Sequence, residues 1–413
     1  MRVAVVGTGI AGLGAAYALS RVHDVEVFER EPRAGGHANT VVLDRPGGGE
    51  LPLDTGFLVH NEHNYPRLTR LFRELGVGVQ DSEMSFSVAC RRCRLEYSGV
   101  RLWSQPRALM RPGFARLAAE IVRFLRTGQR ALEERYARST LGDFVAAEGY
   151  SRAFRDHYLV PFASALWSTA PAQTLGFPVS YAVRFFENHG LLGFHRHPWR
   201  TVTGGSRAYV DAITAPLAGR LRLRAEVRAV TRDADGVEVR TADSEAHRYD
   251  AVVIASHAPQ ALAMLTDADE RERDLLGAFR TTLNRTVLHT DASLLPSRPS
   301  ARASWNYEVV NCQAPSLLPT VTYYLNKLQA LREPEHYCVT LNRGGQIDED
   351  RVIRRIEYSH PLYTFDSLAA QERLPTLDGR RRTWFCGAYQ GFGFHEDGLA
   401  SGLRAAGELG APW

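Results

Sequence analysis

Gly7-Thr8-Gly9-Ile10-Ala11-Gly12 follows directly on the apolar stretch Arg2–Val6, and these two segments decide the fold at the start of the chain. In such a turn Gly7 permits the tight bend, Gly9 lets the backbone approach a pyrophosphate, and Gly12 lets a helix pack on the strand. The next residues, Leu13–Ser20, are rich in alanine and leucine and predict that helix. Its N-terminus would direct unpaired N–H groups at the phosphates. The pattern predicts a dinucleotide site.

A second apolar stretch, Val25–Phe28, ends at Glu29. An acid about 20 residues beyond the first glycine accepts hydrogen bonds from ribose hydroxyls in dinucleotide-binding folds. A glycine turn without a ligand is the alternative, but here the position of the turn and the acid both match the motif. The motif by itself does not separate NAD from FAD.

Four further segments separate the two cofactors. They are Arg33-Ala34-Gly35-Gly36-His37, Asp54-Thr55-Gly56-Phe57-Leu58, Trp384–Ala388 and Gly393–Leu399. Their spacing resembles that of the flavin amine oxidase and phytoene desaturase superfamily. The resemblance implies an α/β fold, α+β overall, with a glutathione-reductase-like Rossmann domain for FAD and a discontinuous mixed domain for substrate. The implied FAD-binding segments are residues 1–60, 200–258 and 375–413, and the implied substrate-binding segments are residues 61–199 and 259–374.

A narrower resemblance is to a bacterial subgroup of FAD-binding, amine-oxidase-like proteins. Their genes lie beside those of cyclopropane-fatty-acid-synthase-like methyltransferases, or are fused to them. The segments that carry this resemblance span most of the chain: Gly56–Val59, Asn61, Tyr65-Pro66, Leu71–Gly76, Thr322–Tyr324, Asn326–Gln329, His360-Pro361 and Gly393–Leu399. It implies a methyltransferase as a partner.

The superfamily resemblance also implies which residues bind FAD. The Arg33 segment would wrap the pyrophosphate, the Gly56 segment would lie along the flavin, and Val227 would lie against the adenine. The helix after Gly393 would point its N-terminus at the flavin. The expected cofactor-binding residues are Gly7, Gly9, Ile10, Ala11, Gly12, Glu29, Arg30, Arg33, Gly35, Gly36, His37, Gly56, Phe57, Leu58, Val227, Gly387, Asp397, Gly398 and Leu399. The attachment cysteine of the monoamine oxidases is absent, since Cys386 lies too early, so we expect noncovalent FAD.

Composition and charge narrow the classes of protein to which this chain can belong. The 413 residues carry a formal charge of +4, with Lys327 as the only lysine. No basic–aromatic motif for nucleic acid is present, so we expect no nucleic-acid partner. Five dispersed cysteines favour a reduced cytoplasmic protein. The N-terminus lacks the apolar core of a secretory signal, and no run is long enough to span a bilayer.

Cys90-Arg91-Arg92-Cys93 has the spacing of half a zinc site. No second pair of this kind occurs in the sequence, and the flanking stretches Ser85–Ala89 and Leu95–Ser98 alternate as strands do. We therefore predict a hairpin turn and no metal.

A basic amphipathic stretch, Phe114–Tyr136, leaves two interpretations open. Its apolar stripe is Phe114, Leu117, Ala118, Ile121, Val122 and Leu125, with Arg116, Arg123, Arg126 and Arg130 interleaved. Such a helix can lie on an anionic membrane and give peripheral membrane association. The alternative is an ordinary core face.

No triad, carboxylate pair or HExxH motif stands in a convincing place, so the difficult chemistry would belong to FAD. Lys327 and His395 are the candidate catalytic residues. Amine oxidases hold a lysine near flavin N5 through a water, and the alternative for Lys327 is a solvated side chain. His395 could move a proton near the flavin or could cap the helix that follows it. The candidate cavity residues, for which core packing is the alternative, are Phe185, Phe186, His189, Trp305, Tyr307 and Tyr323.

The chain departs from the amine oxidases at one informative place. In those enzymes two aromatic rings form a cage around the amine, and one of them lies in the closing segment. Here that segment reads Gly393-Phe394-His395, so a tyrosine is missing and a histidine is added. The leading hypothesis is therefore an FAD-dependent oxidoreductase that desaturates or isomerises a lipid-like small molecule, such as a fatty acyl chain, by hydride transfer to flavin N5. The alternatives are an amine or amino-acid oxidase that releases peroxide, and a non-catalytic flavoprotein partner of a lipid methyltransferase.

Overall fold

The computed structural model describes residues 1–45, 48–99, 113–193, 197–314 and 318–413. Its strands, in chain order, are β1 (Arg2–Val6), β2 (Asp24–Phe28), β3 (Thr40–Asp44), β4 (Glu50–Asp54), β5 (Val79–Ser82), β6 (Phe86–Cys90), β7 (Glu96–Ser98), β8 (Trp199–Val202), β9 (Leu221–Arg222), β10 (Val227–Arg232), β11 (Val237–Thr241), β12 (Ala246–Tyr249), β13 (Ala251–Ile254), β14 (Arg280–His289), β15 (Trp305–Val309), β16 (Val321–Tyr324), β17 (Cys338–Leu341), β18 (Val352–Leu362) and β19 (Thr383–Phe385).

The α-helices of the described residues are α1 (Ile10–Leu19), α2 (Pro66–Glu74), α3 (Phe114–Thr127), α4 (Leu141–Ala147), α5 (Arg152–Phe154), α6 (Val160–Trp167), α7 (Pro171–Leu175), α8 (Val179–Asn188), α9 (Arg207–Thr214), α10 (Ala258–Met264), α11 (Glu270–Gly277), α12 (Leu325–Leu328), α13 (Phe365–Arg373) and α14 (His395–Glu408). A π-helical segment, Arg155–Leu159, joins α5 to α6.

The described residues form two units, each built from separated stretches of sequence. Unit 1 comprises Met1–Gln80, Val202–Arg280 and Asp366–Trp413, and unit 2 comprises Asp81–Thr201 and Thr281–Phe365. The predicted FAD-binding segments lie within unit 1 except for residues 200 and 201. Which unit binds which ligand stays a prediction.

Unit 1 is organised around a parallel sheet with β1 at its centre. The strand order is β19-β13-β1-β2-β9, and every neighbouring pair is parallel. Both faces of such a sheet must be covered. Val3 and Val5 of β1 pack in the core that contains α1 and α14, whereas Ala4 and Val6 pack with β10–β12 and α10. The α/β class predicted from the glycine turn is confirmed.

Helices α1 and α14 pass unusually close to each other because glycine lies at the contacts. A Cβ atom on Gly402 would overlap the carbonyl oxygen of Ala11. A Cβ on Gly398 would lie 2.9 Å from Cγ2 of Ile10, and one on Gly14 would lie 2.5 Å from Cδ1 of Leu399. Real Cβ atoms do not approach other atoms this closely, so backbone contact between the two helices requires these glycines.

Unit 2 contains a seven-stranded mixed sheet of order β18-β14-β17-β16-β15-β6-β7. Strands β6 and β15 are parallel, with Phe86 opposite Trp305 and Cys90 opposite Val309. Strands β6 and β7 are antiparallel and joined by a short turn. The hairpin predicted around the Cys90–Cys93 segment is therefore confirmed.

The buried residues of helix α3 differ from the apolar stripe that was predicted for it. Its buried residues are Phe114, Leu117, Glu120 and Phe124, whereas Leu125 is only partly buried. The helix ends at Thr127, so the predicted stretch to Tyr136 breaks into two 3₁₀ turns. No helix among the described residues is long and apolar enough to cross a bilayer.

The glycine contacts predict a sharp difference between two substitutions in α14. Gly402→Ala should lower the free energy of unfolding of the FAD-loaded protein by about 1–3 kcal/mol, because the added methyl group forces the two helices apart. Gly407→Ala is the matched control, since a Cβ there meets no atom within 4 Å. It should leave stability unchanged or raise it by up to about 1 kcal/mol, because alanine favours helix. Urea unfolding of both variants measures the difference, and equal stabilities would contradict the close crossing.

Candidate functional site

The glycine turn has the shape that a phosphate group needs. Gly7 has a φ of +103°, and a Cβ there would lie 2.8 Å from the carbonyl oxygen of Ala255. A Cβ on Gly9 would meet no atom within 4 Å, so the space in front of the turn is open. Gly9 is the N-cap of α1, and no side chain caps that helix. Its first N–H groups have no intrahelical partners and are available to an anion.

Glu29 lies at the end of β2, against the turn. It is buried, and its carboxylate accepts from the backbone N of Thr8 at 3.0 Å, from the Thr8 hydroxyl and from the backbone N of Glu31 at 2.9 Å. A carboxylate offers about four acceptor sites. One acceptor site is left over, and its use by a ribose hydroxyl stays a prediction.

The Arg33 segment is held in shape by its own side chain and is joined to the glycine turn by a backbone hydrogen bond. The Arg33 guanidinium donates to the carbonyl oxygens of Ala34 (3.3 Å), Gly36 (2.9 Å) and Ala38 (3.2 Å). The backbone N of Gly35 donates to the Thr8 carbonyl at 3.1 Å. The Arg33 side chain thus stabilises the conformation of its own loop. Contact of this segment with the pyrophosphate stays a prediction.

The Gly56 segment lies beside His37. A Cβ on Gly56 would overlap the His37 carbonyl oxygen, and Phe57 N donates to that same oxygen at 2.8 Å. Asp54, two residues earlier, accepts from the Ser206 N (2.9 Å) and hydroxyl (2.7 Å). Burial raises the pKa of Asp54 to about 6, against the hydrogen bonds from Thr40 and Ser206, which lower it. Asp54 thus ties β4 to the start of α9.

His395 lies at the first position of α14 and packs between two aromatic side chains. Its ring is stacked on that of Phe57, with centroids 3.9 Å apart and planes at 19°. Its Nε2 lies 3.0 Å from the hydroxyl of Tyr209. His60 is buried nearby and also packs against Phe57. The histidine is therefore held in place and not left to solvent.

Burial decides the charge state of this cluster. Burial is the main cause that lowers the pKa of His395 to about 3, and the proximity of His60 contributes to the same shift. Burial also raises the pKa of Tyr209 well above its usual range, with a contribution from Asp54. At neutral pH the two groups form an uncharged imidazole–phenol hydrogen bond. The neutral ring of His395 can accept a proton or pass one on, but it is not in the protonated imidazolium form at this pH.

The two acids after His395 are both engaged. Asp397 accepts from the backbone N of Phe394 at 2.9 Å and caps α14, and burial raises its pKa to about 6. Glu396 accepts from the backbone N atoms of Arg67 and Leu68, each at 3.0 Å, and caps α2. Helix capping at this point is thus performed by these acids and not by His395.

The remaining predicted cofactor residues are spread over unit 1. Leu399 is buried against α1, and Gly387 donates its N–H to the Ser401 hydroxyl at 2.9 Å. Val227 is buried at the first position of β10. Arg30 is exposed and lies 3.3 Å from Glu31.

Lys327 lies in unit 2, on the short helix α12. Its Nζ is 2.8 Å from Oε1 of Glu83, so the ammonium group forms an ion pair with that carboxylate. The side chain is 24% exposed. Neither its predicted role in proton transfer nor a purely structural role is decided by this pair.

The six predicted cavity residues form two groups in unit 2. Phe185 and Phe186 on α8 are fully enclosed by Trp167 and neighbouring rings, and His189 stacks on Phe185 at 3.8 Å. Trp305 and Tyr323 are opposite each other on β15 and β16, with rings 4.9 Å apart. Tyr307 lies two residues along β15 and is buried. Trp305 is the most accessible of the six.

Sequence reasoning missed Tyr209 and His60. Tyr209 is 186 residues from His395 in sequence, and nothing in its local pattern distinguishes it from a core tyrosine. His60 follows the Gly56 segment closely, and that position was its only signal.

The lowered pKa of His395 predicts an acid-sensitive contribution to stability. Because the folded-state pKa lies below the unfolded value, the unfolded chain binds the extra proton, and stability falls as pH decreases through 6.5. Between pH 7.5 and 5.0 this group should remove about 2 kcal/mol from the free energy of unfolding. The variant His395→Gln keeps an acceptor for Tyr209 but has no such titration. Urea unfolding at both pH values should show a smaller loss in the variant, and an equal loss would contradict the neutral imidazole.

Several solved structures share the fold of this chain. The CLA-producing fatty acid isomerase from P. acnes matches with a TM-score of 0.66 and 16% identity, over 99% of this chain and 98% of that one. Cyclohexylamine oxidase from Brevibacterium oxydans IH-35A matches with a TM-score of 0.68 and 17% identity, over 99% and 98%. Wild-type putrescine oxidase bound to putrescine matches with a TM-score of 0.67 and 15% identity, over 100% and 99%.

The family model for flavin-containing amine oxidoreductases matches residues 10–288, which is more than half of the chain. The open glycine turn, the buried Glu29 and the uncapped α1 fit the dinucleotide cofactor of that family. The chain therefore belongs to the flavin-containing amine oxidoreductase family and is an FAD-dependent oxidoreductase.

Proposed function

We propose that the protein desaturates or isomerises a fatty acyl chain or a similar lipid-like molecule. When bound, FAD supplies the hydride acceptor for such chemistry. The proposal assigns the cofactor to unit 1 and the acyl chain to the aromatic side chains of unit 2. The observation that carries it is the aromatic and uncharged character of those side chains.

Aromatic rings in unit 2 form a continuous set. Phe186 packs near Phe124, Phe162 and Trp167, with ring centroids 5.4–6.3 Å apart. Trp305 and Tyr323 add two rings on the sheet. Burial raises the pKa of Tyr323 to about 12, so its phenol stays neutral. Of these rings, Phe162 and Trp305 are partly exposed, whereas the others are buried. The apolar surface of these two rings favours binding of an alkyl chain.

Carboxylates that could pair with an alkylammonium group are engaged elsewhere. Among the described residues of unit 2, the buried acids are Glu120 and Asp291. Glu120 accepts from the backbone N and hydroxyl of Ser151. Asp291 accepts from the backbone N of Ser293 at 2.9 Å. A cationic substrate would therefore lack a buried anionic partner there.

An amine substrate is the second candidate, because two of the proteins with the same fold are amine oxidases. Putrescine oxidase and cyclohexylamine oxidase match over nearly the whole of both chains, as the fatty acid isomerase does. At identities below 20% these matches support either substrate class equally. The chain's own side chains favour the acyl chain.

His395 and Lys327 are proposed to act on protons. The neutral His395 ring, fixed by Phe57 and Tyr209, could receive a proton at one nitrogen while Tyr209 holds the other interaction. The Lys327 ammonium, held by Glu83, could orient a water molecule. General acid–base help of this kind contributes about 10²–10⁴-fold in rate.

FAD is proposed to be bound without a covalent link. Acid precipitation should release all flavin into the supernatant as FAD, and flavin in the pellet would contradict the proposal. Glu29→Gln should weaken FAD binding, because the ribose loses a charged acceptor worth about 1.5–3 kcal/mol. The control is Glu31→Gln, since that side chain is exposed and forms an ion pair with the exposed Arg30. Equilibrium dialysis of both variants measures the difference.

The substrate class can be tested by anaerobic incubation of the holoenzyme. Long-chain unsaturated fatty acids should give products with a new or displaced double bond, detected by mass spectrometry, whereas benzylamine and putrescine should leave the flavin spectrum oxidised. Rapid bleaching by either amine, with no change in the fatty acids, would favour the second candidate.

Variants extend the same experiment to the proposed proton-transfer residues. His395→Gln and Lys327→Met should keep full FAD occupancy and slow turnover by about 10²-fold or more. Arg332→Met, an exposed cation close to Lys327 in sequence, is the control and should be unchanged. Wild-type turnover in both test variants would remove these residues from the mechanism.

A further inference from the structure

Unit 2 contains a cluster of three cysteines and one histidine that the flavin chemistry does not use. The Sγ atoms of Cys90, Cys93 and Cys312 and a ring nitrogen of His157 all lie within 4.8 Å of one another. Nε2 of His157 is 3.4 Å from Sγ of Cys93. Around tetrahedral zinc, with bonds of about 2.0–2.3 Å, ligand atoms lie roughly 3.4–3.8 Å apart. The cluster thus needs only small shifts to hold a metal ion.

The prediction of a hairpin turn without metal rested on Cys90 and Cys93, which are two of the four residues in this cluster. Sequence spacing reveals Cys90 and Cys93, but His157 and Cys312 come from segments 64 and more than 200 residues away. His157 and Cys312 do not form a second CxxC pair, and no local pattern in the sequence links them to Cys90 and Cys93.

Backbone contacts bring the four residues together. The hairpin is closed by the bond from Cys90 N to the Leu95 carbonyl at 2.8 Å. Because Val309 of β15 lies opposite Cys90 of β6, the chain just beyond β15 returns Cys312 to the hairpin. Arg91 N donates to the Val309 carbonyl at 3.0 Å and fixes this register at the strand end.

The third segment is the π-helical turn that carries His157. The Tyr97 hydroxyl, on β7, donates to the His157 carbonyl at 2.6 Å. Arg152 donates to the carbonyl oxygens of Cys312 and Gln313, each at 3.3 Å. Single π-helical turns within helices often mark functional positions. All three segments are therefore joined by hydrogen bonds that do not involve the thiols.

The histidine ring has no other polar role. It is 9% exposed, Nε2 faces the sulfur atoms, and Nδ1 is buried without a hydrogen-bond partner among the described residues. Nε2 is therefore directed at the thiol cluster, and an imidazole nitrogen is one of the ligands that zinc takes.

We propose that Cys90, Cys93, Cys312 and His157 bind one structural zinc ion. Three thiolates and a neutral imidazole fill the four positions of tetrahedral zinc, which leaves no open position for catalysis. Such a centre carries one net negative charge. Arg92 and Arg94 adjoin Cys93 in the sequence and are exposed, and nearby cations favour the thiolate form of cysteine. The ion joins the hairpin, the π-helical turn and the loop after β15. This inference is independent of the cofactor and of the substrate.

Metal analysis of the purified holoenzyme tests the proposal directly. Protein expressed with zinc and purified without chelators should contain about one zinc per chain by mass spectrometry. Replacement by cobalt should give the intense visible bands of tetrahedral thiolate coordination, at wavelengths beyond the flavin absorption. A wild-type protein with negligible zinc, or with a Cys90–Cys93 disulfide in place of metal, would overturn the proposal.

Variants locate the ion. Cys312→Ser and His157→Ala should each lower zinc content or affinity by roughly tenfold or more, with FAD content unchanged. His157→Cys should retain zinc with a cobalt spectrum shifted toward four thiolates. Cys338→Ala, a buried cysteine of unit 2 outside the cluster, is the control. Full zinc content in both Cys312→Ser and His157→Ala would place the metal elsewhere and overturn the assignment.

Discussion

The crossing of two helices from opposite ends of the chain supports the whole of unit 1. Helix α1 begins at the glycine turn and α14 is close to the C-terminus, yet Gly402 and Gly398 bring their backbones into direct contact with Ala11 and Ile10. That contact fixes where the N-terminus of α14 lies relative to the turn. Since His395 is the first residue of α14, the same contact also fixes the position of the candidate catalytic ring.

Around that ring, burial matters more than proximity to charge. His395 would be an ordinary titrating histidine in water, but burial keeps it neutral and pairs it with a neutral Tyr209. Burial also raises the pKa values of Asp54 and Asp397 to about 6, although both accept hydrogen bonds that oppose this shift. His395 and Asp54 each join two elements of unit 1, whereas Asp397 caps its own helix. The site is thus a set of buried polar connections at the ends of β4, α9 and α14.

The two faces of the mixed sheet in unit 2 carry different kinds of side chain. Its aromatic rings pack between the mixed sheet and the helices, whereas the other face of the sheet carries a row of hydrogen-bonded side chains. Ser87 donates to Asn306, and Thr322 bonds Thr340, across adjacent strands. The thiol cluster lies where β6 and β15 end side by side. The same parallel register therefore aligns Trp305 with Phe86 and returns Cys312 to Cys90.

The glycine turn, Glu29 and the closing segment could be predicted from the sequence, because each reflects a local demand: a positive φ, room for a backbone approach, or an acid at the end of a strand. A dinucleotide site and the α/β class follow from them, whereas FAD as the cofactor is implied by the resemblance to the flavin amine oxidases. Helix ends were less predictable, as α3 shows, because burial against distant rings selected Phe124 over Leu125. Tyr209 beside His395, and His157 and Cys312 beside the hairpin, were decided only by the tertiary structure. These contacts join residues far apart in the chain, and only strand register and helix packing determine which of many similar side chains meet.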